Sequence, residues 1–135
     1  PYIQRIASGH LPFLTVFGTD YDSVDGTGVR DYIHVIDLAK GHLAALNSKL
    51  RYKAGTYQLG TGNGTTVLEL VAAFEQVSGL TIKKILGPRR PGDVAQLLAI
   101  ADKANSVLGW HAELDIVSMC RDSWAWVQKS PNGFN

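Results

Sequence analysis

Cysteine is almost absent from this sequence. Its one thiol, Cys120, has no intrachain partner, so no disulfide framework holds the chain, a pattern that fits a reducing compartment. No apolar run approaches the roughly 20 residues of a membrane-spanning helix, and no charged-then-apolar leader opens the chain. An excess of one charge is also missing. Thirteen Lys and Arg against 12 Asp and Glu leave a formal +1, which argues against a general electrostatic footprint for nucleic acid. The expectation is a soluble, cytoplasmic chain with neither nucleic acid nor a membrane as partner. His10, His34, His42 and His111 share no i,i+4 spacing and fall in separate predicted elements, so no metal site is expected and they read as packing or surface residues. No serine stands in a nucleophile-elbow pattern, and Cys120 falls on the apolar face of a predicted helix as an inert packing thiol.

What remains is an ordinary core-forming composition. With 45% hydrophobic and 19% charged residues, disorder is excluded, and 135 residues suffice for one domain. The chain begins Pro1-Tyr2-Ile3 and its one methionine is Met119, which predicts a piece of a longer polypeptide. Residues 2–8 read as the end of a helix closed by Gly9, and 13–17 as a short strand. Thr19–Gly28, with three aspartates and two glycines, is a turn-rich loop. A strand is predicted over 31–36, then a helix over 37–47 with Asp37 as N-cap. A strand over 56–59 leads to a helix in which Val67, Leu70, Val71, Phe74 and Val77 recur at helical spacing behind a Thr66–Glu69 capping box. Strands over 81–86 and 97–100 follow. A short helix capped by Asp102 ends at Gly109, and a last helix runs from about Asp115 to before Pro131. Alternating strands and helices make this an α/β chain. Trp110, Trp124 and Trp126 read as core anchors.

Two loops invite a phosphate-binding reading. Gly60-Thr-Gly62-Asn-Gly64 lies between a predicted strand and a helix, where glycines let a pyrophosphate approach backbone N–H groups. The spacing departs from the dinucleotide fingerprint, because Thr65 stands where its last glycine belongs and Leu86 and Gly87 replace the ribose-binding acid. The loop therefore reads as a tight packing turn. Arg89-Arg90-Pro91-Gly92-Asp93 is different. Two guanidiniums and a carboxylate in a proline-stiffened loop can take a diphosphate and a ribose diol, with Arg30 gripping from a second side; a solvated surface loop is the competing reading.

With those residues in place, the chain resembles the UDP-galactose (UDP-glucose) 4-epimerases of the extended short-chain dehydrogenase/reductase family. The resemblance is carried by the stretch from Val16 to His42, above all Gly28-Val-Arg-Asp-Tyr-Ile-His34, and by Gln58-Leu-Gly-Thr-Gly-Asn-Gly64, Arg89–Asp93 and Asp122-Ser-Trp124. It implies the C-terminal substrate-binding part of such an enzyme, with most of the Rossmann domain lying outside. By that resemblance Phe17 contacts the uracil, with Thr15 and Val16 contributing backbone. Arg30 and Arg90 bind the diphosphate and Asp93 the ribose. The fourth residue after that aspartate limits the sugar's substituent, a tyrosine disfavouring and a small residue admitting N-acetylated sugars. Leu97 is neither, which leaves that specificity open.

The family oxidises and re-reduces the sugar at C4 with NAD, using an N-terminal glycine-rich loop and a Tyr-x-x-x-Lys base. No tyrosine here has lysine four residues on, so no catalytic residue is assigned, NAD is expected in the full-length enzyme and not on this chain, and the chain alone is expected to be inactive. Residues 37–60 are expected to pack on the Rossmann domain. The full-length family is commonly a homodimer. Two other readings stand beside this one: a non-catalytic nucleotide-sugar-binding or interaction module that has lost its redox half, and a sister dehydratase or decarboxylase.

Overall fold

The apolar repeat from Val67 to Val77 forms helix α3, Val67–Ser78, in a computed structural model that describes residues 2–48, 55–131 and 133. Its start is fixed by a reciprocal cap. The Glu69 N–H donates to the Thr66 hydroxyl at 3.1 Å, and the Thr66 N–H donates to the Glu69 carboxylate at 2.8 Å. Gly79, at φ 70°, ends it in the left-handed region. Helix α5, Ile116–Lys129, starts at Asp115, whose carboxylate accepts the Ser118 N–H at 2.8 Å. The two helices pack through Phe74 and Trp124, edge to face with centroids 5.7 Å apart. Ile6 from helix α1, Tyr2–Ala7, and Val71, Ile82 and Cys120 complete this core.

A second cluster of Ala101, Ala104 and Trp110 lies between helix α2, Val35–Asn47, and helix α4, Asp102–Leu108. Gly41 permits the approach. A Cβ there would stand 2.6 Å from Leu59 Cδ1 and 3.3 Å from the Trp110 ring. The strands are short. β1, Leu14–Phe17, runs parallel to β4, Lys84–Gly87, with Phe17 opposite Gly87. β2, Val29–Arg30, lies between β3, Thr65–Thr66, antiparallel to it, and β5, Gln96–Leu97, parallel to it, with Arg30 opposite Thr65 and Leu97. The mixed α/β class is as expected.

Boundaries differ from the sequence reading wherever a side chain replaces the ladder. No residue of the strand expected over 31–36 is strand: β2 ends at Arg30 and α2 begins at Val35, and the Asp31 carboxylate takes the N–H groups of Thr61 and Gly62, each at 2.9 Å, and of Ala99 at 3.2 Å. β5 likewise ends at Leu97 instead of running to residue 100. The segment 56–59 is not a strand; Lys103 holds the Thr56 carbonyl at 2.9 Å and the Gln58 amide oxygen accepts the Ile100 N–H at 2.8 Å. β4 begins three residues later than expected, since the Ile82 N–H is held by Glu75 at 2.8 Å.

The α2 cap is His34, not Asp37: its Nδ1 accepts the Ile36 N–H at 3.1 Å. Asp37 is fully buried one turn in, where its carboxylate accepts the N–H groups of Glu113 at 2.9 Å and Leu114 at 2.8 Å. Burial pushes its carboxyl upward, but those two amides, with Lys40 and His34, outweigh burial and hold it below the ordinary value. Asp102 does not cap α4, whose N-cap position is Ala101, without a side-chain bond.

Burial likewise pushes Asp31 up, and the Thr61 hydroxyl with the amides of Thr61, Gly62 and Ala99 brings it below the ordinary 3.8. A carboxyl depressed by folding stabilises above its unfolded value and loses that contribution as pH falls through the folded one. Asp31→Asn is therefore expected to cost roughly 2–4 kcal/mol at neutral pH. The variant should also show a flatter loss of stability below about pH 4. Urea unfolding at a series of pH values measures both, and an unchanged neutral-pH midpoint would contradict the assignment.

Candidate functional site

Gly18, at φ 76°, turns the chain out of β1 immediately after Phe17, and its N–H donates to the Gly87 carbonyl at 2.9 Å. The loop after β4 therefore leaves beside the loop after β1. Arg89 ties the two together. Its Nε donates to the Asp20 carboxylate at 2.7 Å and its Nη2 to the Asp20 carbonyl at 2.6 Å, and its guanidinium lies 4.1 Å from the Tyr21 ring centre. The Arg89 hydrogen bond is the main cause holding the Asp20 carboxyl below its ordinary value. Arg89 is thus engaged with the neighbouring loop, while Arg90 turns toward Phe17, its guanidinium 5.0 Å from the ring centre.

Three charged groups from two distant segments then meet. Arg90 Nε donates to Asp93 Oδ2 at 2.9 Å, and Arg30 Nη2 lies 3.7 Å from Asp93 Oδ1. Arg30 is further held by its own strand and the segment before β5, donating to the carbonyls of Val29 at 2.8 Å and Val94 at 3.0 Å. Arg30 and Asp93 are mostly covered, with side-chain exposures of 26% and 24%, whereas Arg90 at 59% is the outer group.

Thr15, Phe17, Arg30, Arg90 and Asp93 line one cavity of about 1320 Å³. That exceeds the roughly 300–1,000 Å³ of typical small-ligand pockets. The remaining wall is largely apolar and comes from α1, α3 and α5. Val16 alternates to the other face of β1 and is buried in the interior. Leu97 sits beside Arg30 in the ladder, but its side chain is 62% exposed and outside the cavity wall. Tyr21, Gly28, Tyr32 and His34 also line the cavity, and the sequence reading assigned none of them to the site. Tyr32 and His34 carried a signal in their alternate spacing. Tyr21 carried none beyond its place among aspartates and glycines. Burial pushes the Tyr32 phenol upward, partly opposed by the charge of Arg30. His34 is buried; because its Nδ1 accepts a backbone N–H, its Nε2 donates to Asp122, 3.2 Å away.

The glycine loop lies elsewhere, and the N–H groups of Thr61, Gly62 and Asn63 are taken. The N–H groups of Thr61 and Gly62 go to Asp31, and the start of α3 is closed by Thr66, Glu69 and Thr27, whose hydroxyl accepts the Val67 N–H at 3.1 Å. A Cβ at Gly60 would strike Ala99, and one at Gly64 would strike Val29. These glycines serve close packing and leave no cradle for a dinucleotide pyrophosphate. Among the described residues no group of three His, Cys, Asp or Glu could hold a metal ion, and no helix is long and apolar enough to cross a membrane.

A sequence model of the family described as GDP-mannose 4,6 dehydratase matches residues 1–123. The chain belongs to this family. Among its relatives, UDP-glucose 4-epimerase 2 of Arabidopsis thaliana is 54% identical over 137 residues, all of this chain and 39% of the relative. UDP-glucose 4-epimerase from Bifidobacterium longum, solved in complex with NAD+ and UDP, is 48% identical with a TM-score of 0.87 over 99% of this chain and 40% of its own. The Stenotrophomonas maltophila UDP-glucose 4-epimerase, solved with bound NAD and formylated UDP-arabinopyranose, is also 48% identical, with a TM-score of 0.92 over 97% of this chain and 39% of its own. The chain thus spans about 40% of the length of the relatives it matches, corresponding to their C-terminal part. The glycine-rich loop before α3, the stretch that invited a dinucleotide reading, turns the N–H groups of Thr61 and Gly62 to Asp31 and that of Asn63 to the Thr61 hydroxyl.

Because Gly18 has a positive φ and a Cβ there would stand 2.5 Å from Tyr21 Cε2 and 3.0 Å from Arg89 Cγ, the turn excludes a side chain. Gly18→Ala is expected to cost roughly 1–3 kcal/mol, read as a lowered thermal midpoint. An unchanged midpoint would show that the tether between the two loops does not depend on this turn.

Proposed function

We propose that this chain is the substrate-binding portion of a cytoplasmic UDP-glucose 4-epimerase and contributes to interconverting UDP-glucose and UDP-galactose. The observation that carries the reading is the meeting of Phe17 from β1, Arg30 from β2, and Arg90 and Asp93 from the loop after β4 on one cavity. Two guanidiniums from different elements suit a diphosphate, whose paired anionic groups accept several N–H donors at once. Asp93, an acceptor-only carboxylate, suits the two hydroxyls of a ribose. Phe17 offers an aromatic face to the uracil, with the β1 backbone at Thr15 and Val16 beside it. UDP and a UDP-sugar in the two epimerase structures support the ligand class.

This chain's part is binding and orientation. No residue here is assigned to bond-making at the sugar. UDP titrated by calorimetry is expected to bind weakly, and Arg30→Ala with Arg90→Ala to abolish what binding there is. Affinity that survives both substitutions removes the site assignment. Supplied with UDP-glucose and NAD, the chain alone is expected to form no UDP-galactose, and turnover would overturn the reading of it as a binding portion.

Residues 37–60 are proposed to pack on the dinucleotide-binding part of the whole enzyme; 49–54 of these lie outside the described residues. The support is the outer face of α2, where Val35, Leu43 and Leu46 are 69%, 58% and 74% exposed around a shallow apolar groove. Leu43→Asp with Leu46→Asp is expected to reduce self-association of the chain in analytical ultracentrifugation without altering its circular dichroism. An unsubstituted chain that stays monomeric at high concentration would argue against an uncovered docking face.

A further inference from the structure

The two arginines assigned to the diphosphate already have a partner. Asp93 uses both of its oxygens on them, Oδ2 on Arg90 at 2.9 Å and Oδ1 toward Arg30 at 3.7 Å. Arg90 also covers the Phe17 ring, the face assigned to the base. The Asp93 backbone is fixed by a turn, its N–H donating to the Arg90 carbonyl at 3.2 Å, with Gly92 at φ 84°. The turn keeps the Asp93 backbone beside Arg90.

An anion drawn to both guanidiniums meets the Asp93 carboxylate there, which already accepts the Arg90 Nε–H at 2.9 Å and lies 3.7 Å from Arg30 Nη2. A carboxylate has no donor of its own, so a second anion beside it repels it and, on taking the Arg90 Nε–H, leaves it short of a partner. Bare pyrophosphate offers nothing in return at neutral pH beyond its residual proton. A nucleoside diphosphate brings two ribose hydroxyls, each an O–H donor, that can satisfy the displaced carboxylate. The same side chain that opposes the phosphates is thereby relieved by the sugar next to them.

We propose that Asp93 is a specificity-determining residue that makes occupation of the Arg30–Arg90 pair conditional on a ribose diol, so that the site selects nucleoside diphosphates over inorganic pyrophosphate and other bare polyanions. This rests on the diphosphate reading of the two arginines and goes beyond a simple ribose contact, because it assigns Asp93 an opposing effect on one ligand and a favourable effect on another.

The test is NMR titration of the full chain with UDP and with inorganic pyrophosphate, reading dissociation constants in the weak range. Asp93→Asn is expected to tighten pyrophosphate roughly threefold to tenfold, the scale of partly exposed ion pairs, while weakening UDP. Asp93→Ala, which removes the side chain's charge and its hydrogen bonds, should shift the two ligands in the same opposite senses, and an unchanged amide spectrum away from the loop confirms the fold of each. Pyrophosphate binding that is unchanged or weaker in both variants overturns the inference while leaving the diphosphate reading intact. Pyrophosphate and UDP binding that persist in Arg30→Ala with Arg90→Ala overturn the reading and the inference with it.

Discussion

The carboxylate of Asp31 decides where Arg30 sits. Four groups donate to it: the amides of Thr61, Gly62 and Ala99 and the hydroxyl of Thr61. Those donors belong to the loop before β3 and to the segment after β5, the two neighbours of β2. A two-residue strand has too few ladder bonds to hold a register alone. The carboxylate supplies the missing bonds at its end, and it does so at an ionised group, where hydrogen bonds are strongest. Arg30, one residue earlier, inherits the position. Its guanidinium then reaches Val94 and Asp93 in the segment leading into β5, so the candidate site is built outward from a structural clamp beside it.

Two further aspartates repeat the device. Asp25 accepts the Thr27 N–H and hydroxyl at 2.8 and 2.7 Å and the Thr66 hydroxyl, which fastens the long loop after β1 to the start of α3. Burial pushes the Asp25 carboxyl up, and the three hydrogen bonds outweigh it. Asp37 fastens α2 to residues 113 and 114, while its carbonyl accepts the Trp110 indole N–H at 2.9 Å. In a chain whose strands span two to four residues, partly or fully buried carboxylates do the work that longer ladders do elsewhere.

This explains which parts were legible in the sequence. Helices α3 and α5 were readable because period and caps agreed, Thr66 with Glu69 at one and Asp115 at the other. The strand ends were not, because a β-prone run such as Asp31–Ile36 shows its propensity in the sequence but not the distant N–H groups that its first carboxylate will capture. Asp37 was misread for the same reason: an aspartate before an apolar-periodic run looks like a cap, and only the packing of residues 113–114 shows that its carboxylate points elsewhere. At the site, Arg30, Arg90 and Asp93 were readable from charge and stiffness in the loop and from the family resemblance. That Arg89 serves Asp20 and Tyr21 while Arg90 serves the cavity was not, since adjacent arginines are equivalent until a fold gives them different neighbours.

Residues 30–37 show why one stretch can carry so much of a family's likeness. Arg30, Tyr32 and His34 line the cavity, while Asp31 and Asp37 turn to structural amides. His34 does both, capping α2 with one ring nitrogen and donating to Asp122 of α5 with the other, so the start of one helix is tied to the body of another across the cavity wall. A substitution at almost any of these positions disturbs either the wall or the clamp behind it. Cavity wall and structural clamp are interleaved residue by residue here, which is the physical reason the segment reads as a motif, whereas Tyr21, placed by a turn and an arginine from another loop, reads as nothing in particular.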